Sequence, residues 1–143
     1  MKITEHLPKL AVLAVMIGGA VVLGTKFFGT NDAAVGAQPV IPEYSDLAKR
    51  GEALFQSNCA QCHGTNAVGT DQGPPFLHPF YNPGHHGDRA FLAAVRNGVR
   101  AHHWNFGDMP PQPQVSSAQL RAIVAYVREI QVANGIVYQK HKM

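Results

Sequence analysis

The chain has 143 residues, 45% of them hydrophobic and 15% charged, with 12 Lys and Arg against 9 Asp and Glu for a formal charge of +3. That composition excludes disorder through charge excess, and two cysteines are too few for a disulfide framework or an all-cysteine zinc site. From residue 30 onward nine basic residues stand against eight acidic ones with no basic stripe, so the electrostatic footprint of nucleic-acid binding is missing.

Residues 10–28 read LAVLAVMIGGAVVLGTKFF, with Lys26 as the one charge, close to the end where its stem can snorkel. As a helix this stretch spans about 28 Å, close to the roughly 30 Å hydrocarbon core of a bilayer. A buried core helix would show a polar face, and this segment has none. Lys2 and Lys9 precede it, which favours a cytoplasmic N-terminus and an exported remainder. Residues 1–28 are therefore expected to be an N-terminal transmembrane helix kept as an anchor. The alternative is a signal segment cleaved near Val35-Gly36-Ala37, leaving a soluble periplasmic protein. Residues 29–42 (GTNDAAVGAQPVIP) follow no period and read as a flexible linker, which leaves 43–143 as the functional domain.

Three helices are predicted in that domain, and no segment shows strand alternation. The first runs from Ser45 to Asn58, with Ser45 or Asp46 as its cap and Leu47, Gly51, Leu54 and Phe55 on its apolar face. The second runs from Asp88 to Asn97, capped by Asp88 and stopped by Gly98, with Phe91, Leu92 and Val95 inward. The third runs from Ser117 to Ala133, opened by a Ser116/Gln119 capping box and ended by Asn134-Gly135. Its apolar stripe is Leu120, Ile123, Val124, Val127 and Ile130. Long loops at 64–87 and 99–115, rich in Gly, Pro and His, separate the helices. About 100 residues with so much loop bury little apolar area, and ordering the loops is entropically costly. A large, flat, apolar prosthetic group would supply the missing core.

The fragment Cys59-Ala60-Gln61-Cys62-His63 closes the first helix. Cys-X-X-Cys-His is the attachment signal of c-type haem: two thiols add across two vinyl groups, and the adjacent imidazole falls under the iron. A thioredoxin-like motif would need a strand before the cysteines, and a disulfide between them would leave His63 without a role. Met109, in Gly107-Asp108-Met109-Pro110-Pro111, is the candidate for the second axial position, its loop stiffened by the prolines. A thioether is soft, favours ferrous iron and raises the potential. His102 and His103 are the rival ligands, and packing alone is the other role open to Met109.

With CAQCH at 59–63 and Met109-Pro110, the stretch from 45 to 133 resembles the class I cytochrome c family. The resemblance implies an all-α cytochrome c fold of three main helices and long loops around one covalent haem. It implies a crossing of first and last helices in which Gly51, Phe55 and Tyr126 meet. It implies covalent attachment at Cys59 and Cys62, with His63 and Met109 as axial ligands of the iron. It also implies that the carbonyl of Pro74, in Gly73-Pro74-Pro75-Phe76, accepts the Nδ1–H of His63. Phe76 stands where the family has Leu, and Pro75 is a further departure.

The expected function is one-electron transfer, not enzymatic, on the periplasmic side of a bacterial inner membrane. Redox proteins, with membrane respiratory complexes foremost, are the expected donor and acceptor, and no nucleic acid or small-molecule substrate is implied. The alternatives are a haem-bearing subunit of an oxidase or dehydrogenase complex, a haem sensor, or a copper-handling protein. The pairs His85-His86 and His102-His103, with His78 nearby, are the least family-like feature. They read as solvated loop histidines, as a surface metal site suited to copper or zinc, or as propionate contacts or a docking patch. Trp104 is a candidate for the haem edge, with its indole N–H donating to a propionate.

Overall fold

Helical periodicity, caps and terminal glycines set the element boundaries here, and tertiary packing adjusts little. The structure, a computed structural model, describes residues 38–140; the apolar segment 10–28 and its expected span lie outside the described residues. The helices are α1 (Asp46–Asn58), α2 (Ala60–His63), α3 (Asp88–Asn97) and α4 (Ser117–Ala133), with 3₁₀ turns at Thr65–Ala67 and Pro79–Tyr81. Among the described residues there is no named strand, only an isolated antiparallel bridge between Val99 and Met109. None of these helices is long and apolar enough to cross a membrane.

The caps follow from side-chain chemistry. Ser45 accepts from the amide of Ala48 at 3.2 Å, and Ser116 and Gln119 form the reciprocal capping box. At α3 the expected cap moves by one residue: Gly87 is the N-cap and Asp88 sits in the first turn, where its charge complements the helix dipole.

The core forms where α1 crosses α4. A Cβ on Gly51 would lie 1.9 Å from the carbonyl oxygen of Ala122, so only glycine allows this approach. Phe55 and Tyr126, both fully buried, meet at 5.2 Å between centroids, and Tyr44 closes on Tyr126 at 5.3 Å. Ser45 ties the start of α1 to α4, its amide and hydroxyl donating to the two carboxylate oxygens of Glu129 at 2.9 and 2.7 Å. Leu47, expected on the buried face, is instead 43% exposed. The crossing is centred on Gly51 and Phe55, which turns Ala48 inward and Leu47 out. The predicted stripe of α4 is buried throughout, from Leu120 to Ile130.

Two polar residues of α4 organise the loops. Gln131 is fully buried and donates to the carbonyls of Phe76 (2.8 Å) and Tyr81 (3.1 Å). Arg128 donates to Asp88 (2.8 Å), the Tyr81 carbonyl (3.0 Å), Gln131 Oε1 (2.7 Å) and the His86 carbonyl (2.5 Å), and its guanidinium lies 4.9 Å from the Phe91 ring centre. One side chain thus joins α3, α4 and the 76–86 loop. Arg128→Met keeps the aliphatic stem but leaves the His86 carbonyl and Gln131 Oε1 without their Arg128 donor, the Tyr81 carbonyl keeping Gln131. It should lower stability by about 2 kcal/mol in denaturant unfolding followed by helical circular dichroism, with an unchanged slope. A loss below roughly 0.5 kcal/mol would mean the loop holds itself.

At the other end of the domain Asn134 exchanges two hydrogen bonds with Val40, each 2.8 Å, so the end of the linker segment is docked against the end of α4.

Candidate haem-binding site

α1 hands the chain directly to the chemistry. Cys59 follows its last residue and donates its amide to Phe55 at 2.8 Å; the amides of Cys62 (3.2 Å) and His63 (2.9 Å) then bond back to the Cys59 carbonyl. Two cysteines and a histidine therefore share one helical turn. Both thiols are free, with Cys62 exposed and Cys59 half-buried. Burial, with the Cys62 thiol beside it, pushes the Cys59 thiol up to about 11. A redox Cys-X-X-Cys needs the opposite shift, toward the thiolate. With a helix and not a strand ahead of it, the turn has neither the electrostatics nor the context of a thioredoxin-like site.

His63 is buried, and its Nδ1 lies 3.0 Å from the Pro74 carbonyl oxygen. A carbonyl only accepts, so Nδ1 carries the proton and Nε2 keeps its lone pair. Burial also lowers the imidazole's pKa, which favours the neutral ring. The loop that delivers Pro74 is pinned back to the motif: the Thr70 hydroxyl donates to the Cys62 carbonyl (2.6 Å), Gly69 N–H to His63 (2.7 Å) and Phe76 N–H to Ala67 (2.8 Å). Phe76, the departure from the family pattern, is at the centre of the packing. It stacks on His63 at 4.3 Å and meets Phe55, Tyr81 and Phe91 edge-on at 6.1, 5.0 and 5.3 Å.

Met109 sits at the foot of the loop between α3 and α4. Its amide and carbonyl both pair with Val99 at 2.9 Å, and its side chain is half-buried against the core. Gly98, at φ +74°, ends α3 there, where a Cβ would come within 2.5 Å of the Met109 carbonyl oxygen. The Ala101 amide bonds to Asp108 across the loop at 2.9 Å. Trp104 lies inside this loop, against His78 (4.9 Å) and Phe80 (5.8 Å). Its indole Nε1 is buried without a geometrically satisfied hydrogen bond, the Tyr81 hydroxyl being a polar neighbour.

The two histidine pairs, sixteen to eighteen residues apart, converge. His103 lies 5.3 Å from both His85 and His86, ring centre to ring centre, and His102 is 6.1 Å from His86. Burial first, then the neighbouring imidazoles, hold His86 and His103 below the usual histidine range. Sequence reasoning missed Arg128 and Gln131, which fasten the loop carrying His86. The signal was available: residue 131 falls four positions after Val127 and seven after Val124, a polar side chain on the apolar stripe.

The site fits a covalently held haem on its own chemistry. It offers two unpaired thiols on one turn and an adjacent imidazole with an oriented lone pair.

The cytochrome c family profile matches residues 48–131. Among curated proteins the chain is 34% identical over 91 residues to the Cbb3-type cytochrome c oxidase subunit CcoP of Rhodobacter capsulatus, which covers 58% of this chain and 29% of that one. It is 31% identical over 108 residues to CcoP of Cereibacter sphaeroides, covering 71% and 36%. It is 28% identical over 117 residues to lupanine 17-hydroxylase (cytochrome c) of a Pseudomonas species, covering 77% and 16%. The chain thus spans less than two fifths of the length of these relatives. No solved structure matches it. The matched span opens at buried Ala48 on α1 and closes at buried Gln131 on α4, so it contains the helix crossing and the Cys59–His63 turn together: the chain belongs to the cytochrome c family, as a class I c-type cytochrome.

Proposed function

We propose that this protein is a one-electron carrier with a single haem held through thioethers to Cys59 and Cys62 and ligated by His63 and Met109. The observation that carries the reading is the His63–Pro74 hydrogen bond, which leaves Nε2 as a ligand atom next to two free thiols. When bound, haem supplies a one-electron iron couple. Pro74 fixes the tautomer and tilt of His63, a support that also strengthens it as a donor. With His63 and Met109 both committed to the iron, the residues would leave no open position for a substrate, and the chain would carry electrons without being an enzyme in itself. Phe76, stacked on His63 and backed by Phe91, gives the ligand an apolar flank, and apolar surroundings raise the potential. Trp104 would offer its indole N–H to a propionate.

The same reading divides the chain into an anchor at 1–28, a linker at 29–42 and the haem domain at 43–143. The domain faces the periplasm of a bacterial inner membrane. A tether of that kind confines a carrier near membrane redox partners and raises its effective concentration there. A second reading is favoured by the CcoP relatives: the domain serves as a fixed haem subunit of a membrane oxidase complex. Stable co-purification with larger subunits from detergent-solubilised membranes would favour the fixed subunit; recovery alone would favour the shuttle.

Protein matured in a host with a haem-ligation apparatus should be one haem heavier than its polypeptide. Reduced, it should show c-type absorption bands; oxidised, the far-red band of sulfur ligation. A colourless product of bare polypeptide mass would end this reading, and mass spectrometry of the same sample would establish its N-terminus.

A further inference from the structure

We propose that His85, His86 and His103 form a second metal site, taking one zinc(II) ion in tetrahedral geometry with its fourth position open to solvent. The ligand nitrogens of the three side chains all lie within 4.8 Å of one another. His85 Nε2 and His103 Nε2 are 3.3 Å apart. That separation is longer than the usual 2.9–3.0 Å of a good hydrogen bond. It equals the edge of a tetrahedron with metal–nitrogen bonds of about 2.0–2.1 Å, whereas a square-planar site would need about 2.9 Å. Three imidazoles are a donor set suited to zinc, and three protein ligands with an open fourth position is a common zinc arrangement.

The scaffold under the site is built, not incidental. Asn82 is buried; its side chain donates to the Pro79 carbonyl (2.7 Å) and accepts from Gly84 N–H (2.8 Å). Its own carbonyl accepts the amides of both His85 (3.0 Å) and His86 (2.9 Å), so the two ligand residues hang from one oxygen. Arg128 grips the His86 carbonyl from α4. The His86 Nδ1–H donates to the Phe80 carbonyl at 2.6 Å, which leaves Nε2 as the donor atom. This is the outer support that oriented metal-binding imidazoles generally have. His103 comes from the opposite side, on the loop closed by Val99 and Met109. His102 turns its Nδ1–H onto the Arg100 carbonyl at 2.8 Å and stands outside the set, which makes it an internal control.

The test is calorimetric titration of the full, untagged, haem-loaded chain with zinc chloride. One zinc per chain should bind at a single saturable site tighter than about 10 µM. His85→Gln and His103→Gln should each weaken it by at least about thirtyfold, with haem absorption and helical circular dichroism unchanged. His102→Gln should change it by less than about threefold. Weaker or non-saturable binding overturns the proposal, as does an equal loss in the His102 variant or none in the His85 and His103 variants. The site does not draw on the haem reading: zinc bound by protein that emerges colourless from a haem-ligating host would uphold this assignment while the haem reading falls, and haem-loaded protein that binds no zinc would do the reverse.

Discussion

Met109→His in the haem-loaded protein should lower the midpoint potential by roughly 0.2–0.3 V, a sizeable part of the span that axial ligation covers, and should abolish the far-red sulfur band. The direction follows from ligand chemistry. A thioether is a soft, weak donor that favours ferrous iron, whereas a second imidazole favours the ferric state. The size of the effect depends on the substitution not moving the loop. Met109 is paired to Val99 through both its amide and its carbonyl, and Pro110-Pro111 stiffen the chain beyond it, so the side chain changes on a fixed backbone. An unchanged potential with the far-red band intact would remove Met109 from the iron. The rivals are already engaged elsewhere: His103 faces His85, and His102 is turned onto the Arg100 carbonyl. Spectroelectrochemical titration of the two proteins under one set of conditions decides the matter.

Gly51→Ala should destabilise the domain by about 3 kcal/mol, and Gly51→Val by more, because overpacking a close contact is not relieved by small shifts. Helix propensity alone predicts the opposite sign: alanine in place of glycine within a helix is worth roughly 1 kcal/mol in favour of the variant. The crossing reverses that. The new methyl group would lie 1.9 Å from the Ala122 carbonyl oxygen and 2.4 Å from its carbon, both backbone atoms that cannot rotate away. The helices would have to part, and the Phe55–Tyr126–Tyr44 stack would open with them. Urea unfolding read by the single tryptophan, Trp104, and by circular dichroism measures the loss. A gain in stability would show that α1 and α4 do not approach as described.

Much of this was legible in the residues because the signals are local. The capping box at Ser116 and Gln119, the stop at Gly98 and the stripe from Leu120 to Ile130 each lie within a few turns of chain. The Cys59–His63 turn is legible for the same reason, since its spacing puts two cysteines and a histidine on one turn. Pro74 opposite His63 came from family resemblance, and the structure places its carbonyl at 3.0 Å. Leu47 shows the limit of periodicity: spacing put it on a helical face, but the position of the partner helix decided which residues of that face are covered.

Sequence by itself determined the main helices, the caps at Ser45 and Ser116, and the class of protein, since these signals lie in neighbours that touch along the chain. Tertiary structure alone decided that Gln131 and Arg128 would reach into the loop from Phe76 to His86, and that two distant histidine pairs would meet. Those contacts depend on the paths of two irregular loops. Such paths carry no period of their own and are set by which buried carbonyls find a donor across the fold.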